Sequence, residues 1–202
     1  RIVGPYQDSY SPNGIIGEKD ACGVGFIANV NGLESNWILK QSLKGLNCME
    51  HRGGCGGDSD SGDGAGILCS IPWEYIDPKM NLENTQDLDR GLGMVFMPNK
   101  KEKIEECKSI CEKEAEKLRV KKTFWRTVPV NNEILGPLAK ANAPFISQWI
   151  IHIDKKDNQD IERLLFQLRK RIEKKIREAF KNHVGDCEFY FASLSSQTVV
   201  YK

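Results

Sequence analysis

Between Ile161 and Phe180 the apolar residues Ile161, Leu164, Leu165, Leu168, Ile172, Ile176 and Phe180 recur every three or four positions, with Lys and Arg filling much of the rest. A stretch of this kind is stable in water as a helix that lays one stripe on an apolar surface and leaves the other face solvated. Lys101–Leu118 repeats the pattern with Ile104, Ile110, Cys111, Ala115 and Leu118, and Trp37–Glu50 does so with Leu39, Leu43 and Leu46. Short apolar runs punctuated by turn residues read as strands at Cys22–Val30, Ile67–Ile71, Gly91–Met97, Thr123–Val130, Phe145–Ile153, Glu188–Leu194 and Gln197–Tyr201. Three long helices among seven strands predict a layered α/β or α+β domain.

Composition removes several function classes. The 202 residues carry 29 Lys and Arg against 28 Asp and Glu, so there is no global charge to attract nucleic acid or an anionic membrane. The basic residues of the last helix, from Arg163 to Lys181, are interspersed with Glu162, Glu173 and Glu178, which predicts a solvated outer face. The longest apolar run, Phe145–Ile153, is interrupted by Ser147, Gln148 and His152 and is too short to span a bilayer. Seven cysteines, an odd number without any C-x-x-C, argue against a secreted disulfide scaffold and against a zinc ribbon. Cys48, Cys55 and Cys69 with His51 match no ligand spacing, and no metal site is expected. Cys107 and Cys111, four apart on a helix, read as packing residues.

The chemistry-bearing candidates lie in the first third of the chain. Cys22 opens Cys-Gly-Val-Gly-Phe; it is either a small buried hydrophobe or a nucleophile that Gly23 and Gly25 leave open to a substrate. Seven glycines fall between Gly53 and Gly66, which excludes helix there. The His51-Arg52-Gly53-Gly54 segment reads as a helix C-cap with basic residues beside the last carbonyls, or as an Arg52 that orients an anionic or carbonyl group. Ser61-Gly62-Asp63-Gly64-Ala65-Gly66 lacks the Gly-Lys-Ser/Thr of a phosphate loop and precedes a strand, so a tight loop under another backbone is expected.

Five motifs in order carry a resemblance: Cys22–Ala28, Met49–Gly56, Ser61–Ile67, Trp125–Asn131 and Ser193–Lys202. Together the chain from about residue 15 onward resembles the start of the glutaminase domain of glutamate synthases, which are class II glutamine amidotransferases, and the Cys48–Gly56 wording is similar to their ferredoxin-dependent branch. The resemblance implies an α+β fold, the αββα four-layer sandwich of the N-terminal-nucleophile hydrolases, of which these residues form the first part. It implies Cys22 as the catalytic nucleophile, with L-glutamine as substrate and released ammonia passed to 2-oxoglutarate by further synthase domains. FMN, an iron–sulfur cluster and ferredoxin are implied for those further domains, with no cofactor in this chain and none of its cysteines assigned to the cluster.

Residues 1–21 are then expected to be a leader or propeptide, and 22–202 the N-terminal part of the domain, which is expected to continue past Lys202 because the last strand has no stop signal. Arg52 is expected near the nucleophile as a substrate-binding residue, and Gly23, Gly53, Asp63 and Gly64 as structural loop residues. The family's Arg-Tyr-Ser-Thr and Asn-Gly-Glu segments, which hold the glutamine carboxylate and form the oxyanion hole, have no counterpart in these 202 residues. The implied compartment is a bacterial cytoplasm or the plastid stroma. Two alternatives stand beside this one: a different class II amidotransferase, or a non-catalytic interaction domain on the same scaffold.

Overall fold

The computed structural model describes residues 23–50, 53–54, 58, 60–62, 64–80, 88–118, 120–154, 160–180 and 189–202. The longest helical stripe dictates the layout. Its helix, α5 (Ile161–Ala179), buries Leu164, Leu165, Leu168, Ile172 and Ile176, and its first turn is capped by Asp160, whose side chain accepts from the Arg163 amide. Beside it lies α3 (Lys101–Glu116), which buries Cys107, Cys111 and Ala115.

Both helices cover one face of a four-stranded antiparallel sheet in the order β3 (Val120–Thr127), β4 (Phe145–Asp154), β2 (Leu88–Met97), β5 (Tyr190–Ser195). They share that face because each crosses over one intervening strand, α3 from β2 to β3 and α5 from β4 to β5. The central pair is in continuous register from Leu88 opposite Asp154 to Met97 opposite Phe145. Side chains alternate across the sheet, so β2 serves two cores. Val95 and Met97 join Trp149, Ile151 and Phe191 beneath the helices, while Leu92, Met94 and Phe96 join Ile150 on the opposite face. At Gly91 a Cβ would lie 2.9 Å from both methyl carbons of Leu165, so the helix rests directly on strand backbone there.

The second core is closed by a two-stranded sheet, β1 (Ile67–Ser70) antiparallel to β6 (Thr198–Tyr201), and by α2 (Trp73–Met80). Cys69, Ile71, Ile76, Val199 and Tyr201 supply its side of the packing. Helix α1 (Asn36–Asn47) contacts β1, giving the layer sequence helix, sheet, sheet, helix expected of an αββα sandwich. A short helix, α4 (Pro137–Ala141), follows a 3₁₀ turn at Asn132–Ile134 in the β3–β4 connection.

Two sequence expectations need correction. The run read as a buried strand from Cys22 to Val30 forms no ladder over residues 23–30, and Val24 and Phe26 are each 94% exposed. Its alternation of apolar residues is strand-like, but no described strand lies alongside to take its hydrogen bonds, and an unpaired strand has no stability of its own. Helix α1 ends at Asn47 rather than Glu50, with Cys48 still right-handed at φ −66°, so no left-handed glycine caps it. The positive-φ glycines among the described residues are Gly32 and Gly64 instead. The sequence reading made no assignment over α2; its Pro78 sits in the final turn of an eight-residue helix anchored by the buried Ile76.

Candidate functional site

The glycine tract that follows α1 is described from Gly53 to Gly66, apart from residues 55–57, 59 and 63. The Gly53 amide donates to the Glu50 carbonyl at 3.0 Å. Gly54 and Gly62 then come together, since a Cβ on Gly62 would stand 3.6 Å from the Gly54 carbonyl oxygen. The tract thus folds back on itself before turning into β1. Gly64 makes that turn at φ +89°, a conformation that side chains strain against. Gly66 passes under the end of β6, where a Cβ would meet the Tyr201 carbonyl oxygen at 2.9 Å. That close passage is the geometry anticipated for the Ser61–Gly66 loop.

One polar cluster pins the tract to the body of the fold. Asp58 Oδ1 accepts from the Ser61 amide at 2.9 Å, and Oδ2 accepts from Ser61 Oγ at 2.7 Å and from the Leu138 amide at 2.9 Å. Ser61 Oγ in turn accepts from the Ala139 amide at 3.0 Å. The first turn of a helix has amides without intrahelical partners, and here side chains about 80 positions upstream provide them for α4. The Leu138 amide, followed by the Ser61 hydroxyl and amide, holds the Asp58 carboxyl down at about 2. Gly136 completes the fit: a Cβ there would lie 2.6 Å from Ser61 Oγ and 2.7 Å from the Asp60 carbonyl carbon.

A second polar line crosses the apolar space between the sheets. Arg126 donates to Gln148 Oε1 at 2.6 Å, and Gln148 donates from Nε2 to the Tyr201 hydroxyl at 3.3 Å. Gln148 is buried, and burial raises the Tyr201 hydroxyl above its ordinary range, so Tyr201 stays neutral at the point where Gly66 passes. The line therefore links β3, β4 and β6 to the end of the glycine tract.

Of the residues singled out from sequence, Cys22, His51, Arg52 and Asp63 lie outside the described residues. Gly23 is exposed at the head of the unpaired run, and Gly53 and Gly64 occupy the two limbs of the tract. Asp58, Ser61, Gly136 and the Arg126–Gln148–Tyr201 line were not anticipated. The Asp-x-x-Ser spacing at 58–61 and the Gly-Pro at 136–137 were the only local signals, the second being a common helix start.

Among the described residues no group of three or more His, Cys, Asp and Glu side chains could hold a metal ion. Cys107 and Cys111 are closed inside the helix-side core, and burial, then the neighbouring Cys107, pushes the Cys111 thiol well above its ordinary value. No helix among the described residues is long and apolar enough to cross a membrane.

Comparison with known proteins places this geometry in context. The family described as "Glutamine amidotransferases class-II" matches residues 22–202. The chloroplastic ferredoxin-dependent glutamate synthase of Oryza sativa subsp. japonica is 43% identical over 98% of this chain. Ferredoxin-dependent glutamate synthase 2 of Synechocystis sp. is 40% identical over 93%, and the glutamate synthase (NADPH) large chain of Bacillus subtilis 41% over 92%. The chain spans 12% of the length of each of these relatives.

Proposed function

This chain belongs to the class II glutamine amidotransferases, and from that premise we propose that it supplies the glutaminase half-reaction of a glutamate synthase, with Cys22 as nucleophile. The observation that carries the reading is the family match that begins on Cys22 itself. The Cys22 sulfur attacks the side-chain amide carbon of L-glutamine, the C–N bond breaks, and the amide nitrogen leaves as ammonia carrying the proton that came from the thiol. Water then hydrolyses the thioester to glutamate and returns the thiol.

The base for this step is the α-amino group of the cysteine, whose free pKa of about 7.7–8.0 leaves a usable neutral fraction near neutral pH. A peptide nitrogen has no such lone pair. Residues 1–21 therefore include or constitute a propeptide cleaved between Ala21 and Cys22 in this reading, and the form that retains them is inactive. Intact-mass and N-terminal sequencing of the active enzyme test this. A chain that keeps Arg1 and still turns over glutamine refutes it.

Arg52 binds substrate beside the nucleophile, and Gly23, Gly53, Asp63 and Gly64 shape the loops around it. The ammonia is used with 2-oxoglutarate in further domains, where FMN and an iron–sulfur cluster supply reducing equivalents taken from ferredoxin. Relatives of both donor types stand at nearly equal identity, 43% for a ferredoxin-dependent one and 41% for an NADPH one, so the ferredoxin assignment rests on the Cys48–Gly56 wording. Glutamate formation by the complete enzyme with reduced ferredoxin but not NADPH is the expected result. The compartment follows from the same assignment: plastid stroma or bacterial cytoplasm.

Cys22→Ala in the complete polypeptide is the direct test of the half-reaction. Glutamine-dependent synthesis is expected to vanish, while synthesis from added ammonium continues. Glutamine use that survives the substitution overturns the reading, as does failure of a glutamine-mimicking diazoketone to label Cys22.

A further inference from the structure

We propose that Asp77 and His152 form an acid-closing clasp between α2 and the four-stranded sheet, in which the protonated imidazole donates from Nε2 to Asp77 Oδ1. Both atoms are buried, and neither has a hydrogen-bond partner among the described residues. One polar cluster contains them. Arg90 on β2 stands directly opposite His152 on β4, and Lys122 on β3 stands opposite it on the other side. Directly opposite residues of an antiparallel pair share a face, so the three side chains form a row between the sheets. Arg90 reaches from that row to Asp77 Oδ2 at 2.6 Å and lies over the Trp73 ring at 4.3 Å. The other oxygen of the same carboxylate is the one left without a donor. Helix α2 therefore brings a buried acceptor to the row in which His152 Nε2 also lacks a partner.

A neutral imidazole has one N–H for its two ring nitrogens, whereas the imidazolium carries a hydrogen on both. Protonation thus guarantees a donor at Nε2. It also puts a third cation into a row that already has one at each end, and like charges directly opposite repel. Asp154, two positions along β4, is taken by Lys121 at 3.0 Å. Asp77 is the carboxylate whose charge favours the protonated ring, and its free oxygen is the acceptor the new donor can use. The closed carboxylate bridges Arg90 through Oδ2 and His152 through Oδ1, which adds a charge-assisted bond between α2 and β4. The proton comes from solvent and stays on the ring. Burial is the chief reason that His152 resists it, helped by Arg90 and Lys122, so the clasp closes below the ordinary histidine range. Ile76 and Trp73 pack α2 on the inter-sheet core, so closing fixes the helix that covers that core.

The experiment is amide hydrogen exchange of the complete polypeptide, read by mass spectrometry at about pH 8 and about pH 5 and corrected for the intrinsic pH dependence of exchange. In the wild type, the peptide covering α2 is expected to exchange about tenfold more slowly at the lower pH, relative to a peptide from α3. His152→Gln, whose amide donates at any pH, is expected to hold α2 at the slow rate under both conditions. His152→Phe, which keeps a ring but has no donor, is expected to leave it at the fast rate under both. Asp77→Asn removes the charge that draws the imidazolium and is expected to flatten the response. A wild type without a response overturns the clasp, as does a response of wild-type size in Asp77→Asn or in His152→Phe. Should His152→Phe fail to fold, Asp77→Asn and His152→Gln decide the matter, since a pH response that persists in either refutes the proposal.

Discussion

His152 is an imidazole in a place that cannot easily take a proton. It is 2% exposed on the inter-sheet face of β4, directly opposite Arg90 on β2 and Lys122 on β3, with the Phe124 ring edge-on at 5.4 Å. Its Nε2 has no hydrogen-bond partner. Burial lowers its pKa most, and the Arg90 and Lys122 charges push the same way against the opposing Asp77 carboxylate. Asp77 is itself occupied by Arg90 at 2.6 Å, while Arg90 lies over the Trp73 ring. Above the ordinary histidine range the group is neutral whether folded or unfolded, and its contribution is fully present. As pH falls below about 6.5 the unfolded chain takes up a proton that the folded one refuses, so stability declines until the lower folded pKa is passed. Thermal melts between about pH 7.5 and pH 5.5 are expected to show a drop in Tm that His152→Gln reduces. Equal slopes for the two proteins contradict this account. The sequence exposed this residue only as an interruption in an apolar run. Its neighbours come from two other strands and one helix, and nothing local marks them. Asp58 was hidden for the same reason, since its decisive partner, Leu138, lies 80 positions away.

At the scale of elements, legibility followed repetition. Helices α3 and α5 were bounded to within a few residues because four or five turns of stripe over-determine the period. Both strands of the central pair read clearly as well. Where the pattern is short, the sequence carried less: α2 has only eight residues with Pro78 in its last turn, and the run at 22–30 looked like a strand because partners are a tertiary matter. The helix-side core allows a sharp test of the packing that was legible. Leu165 is fully buried and its methyls press on the backbone of Gly91, so nothing can collapse into the space it leaves. Leu165→Ala is expected to lose about 2–5 kcal/mol, toward the upper end of the range for rigid sites. Leu165→Met, which nearly conserves volume, is expected to lose less than about 1.5 kcal/mol. Chemical denaturation with m unchanged is the measurement, and equal losses for the two variants would mean that the strand shifts to fill the gap.

Apolar surface is exposed along the first part of the described chain. Val24, Phe26 and Val30 of the unpaired run, Trp37 and Leu43 of α1, and Leu68 of β1 are all exposed, while the four-stranded sheet is covered on both faces. The catalytic apparatus is uneven in the same way. The proposed nucleophile and the glycine tract belong to these 202 residues, whereas the glutamine-carboxylate and oxyanion segments that the family resemblance implies do not occur in them. Removing one oxyanion donor typically costs about 100–1,000-fold in rate, so a chain that lacks the pair keeps little beyond the proposed nucleophile. The 202-residue chain, produced alone and trimmed to begin at Cys22, is therefore expected to release no ammonia from glutamine above the uncatalysed rate. It is also expected to bind a hydrophobic dye through the exposed surface, which the complete polypeptide binds far less per mole. Turnover by the trimmed chain alone would mean that its own residues provide oxyanion stabilisation, and the amides of the glycine tract would become the first place to look.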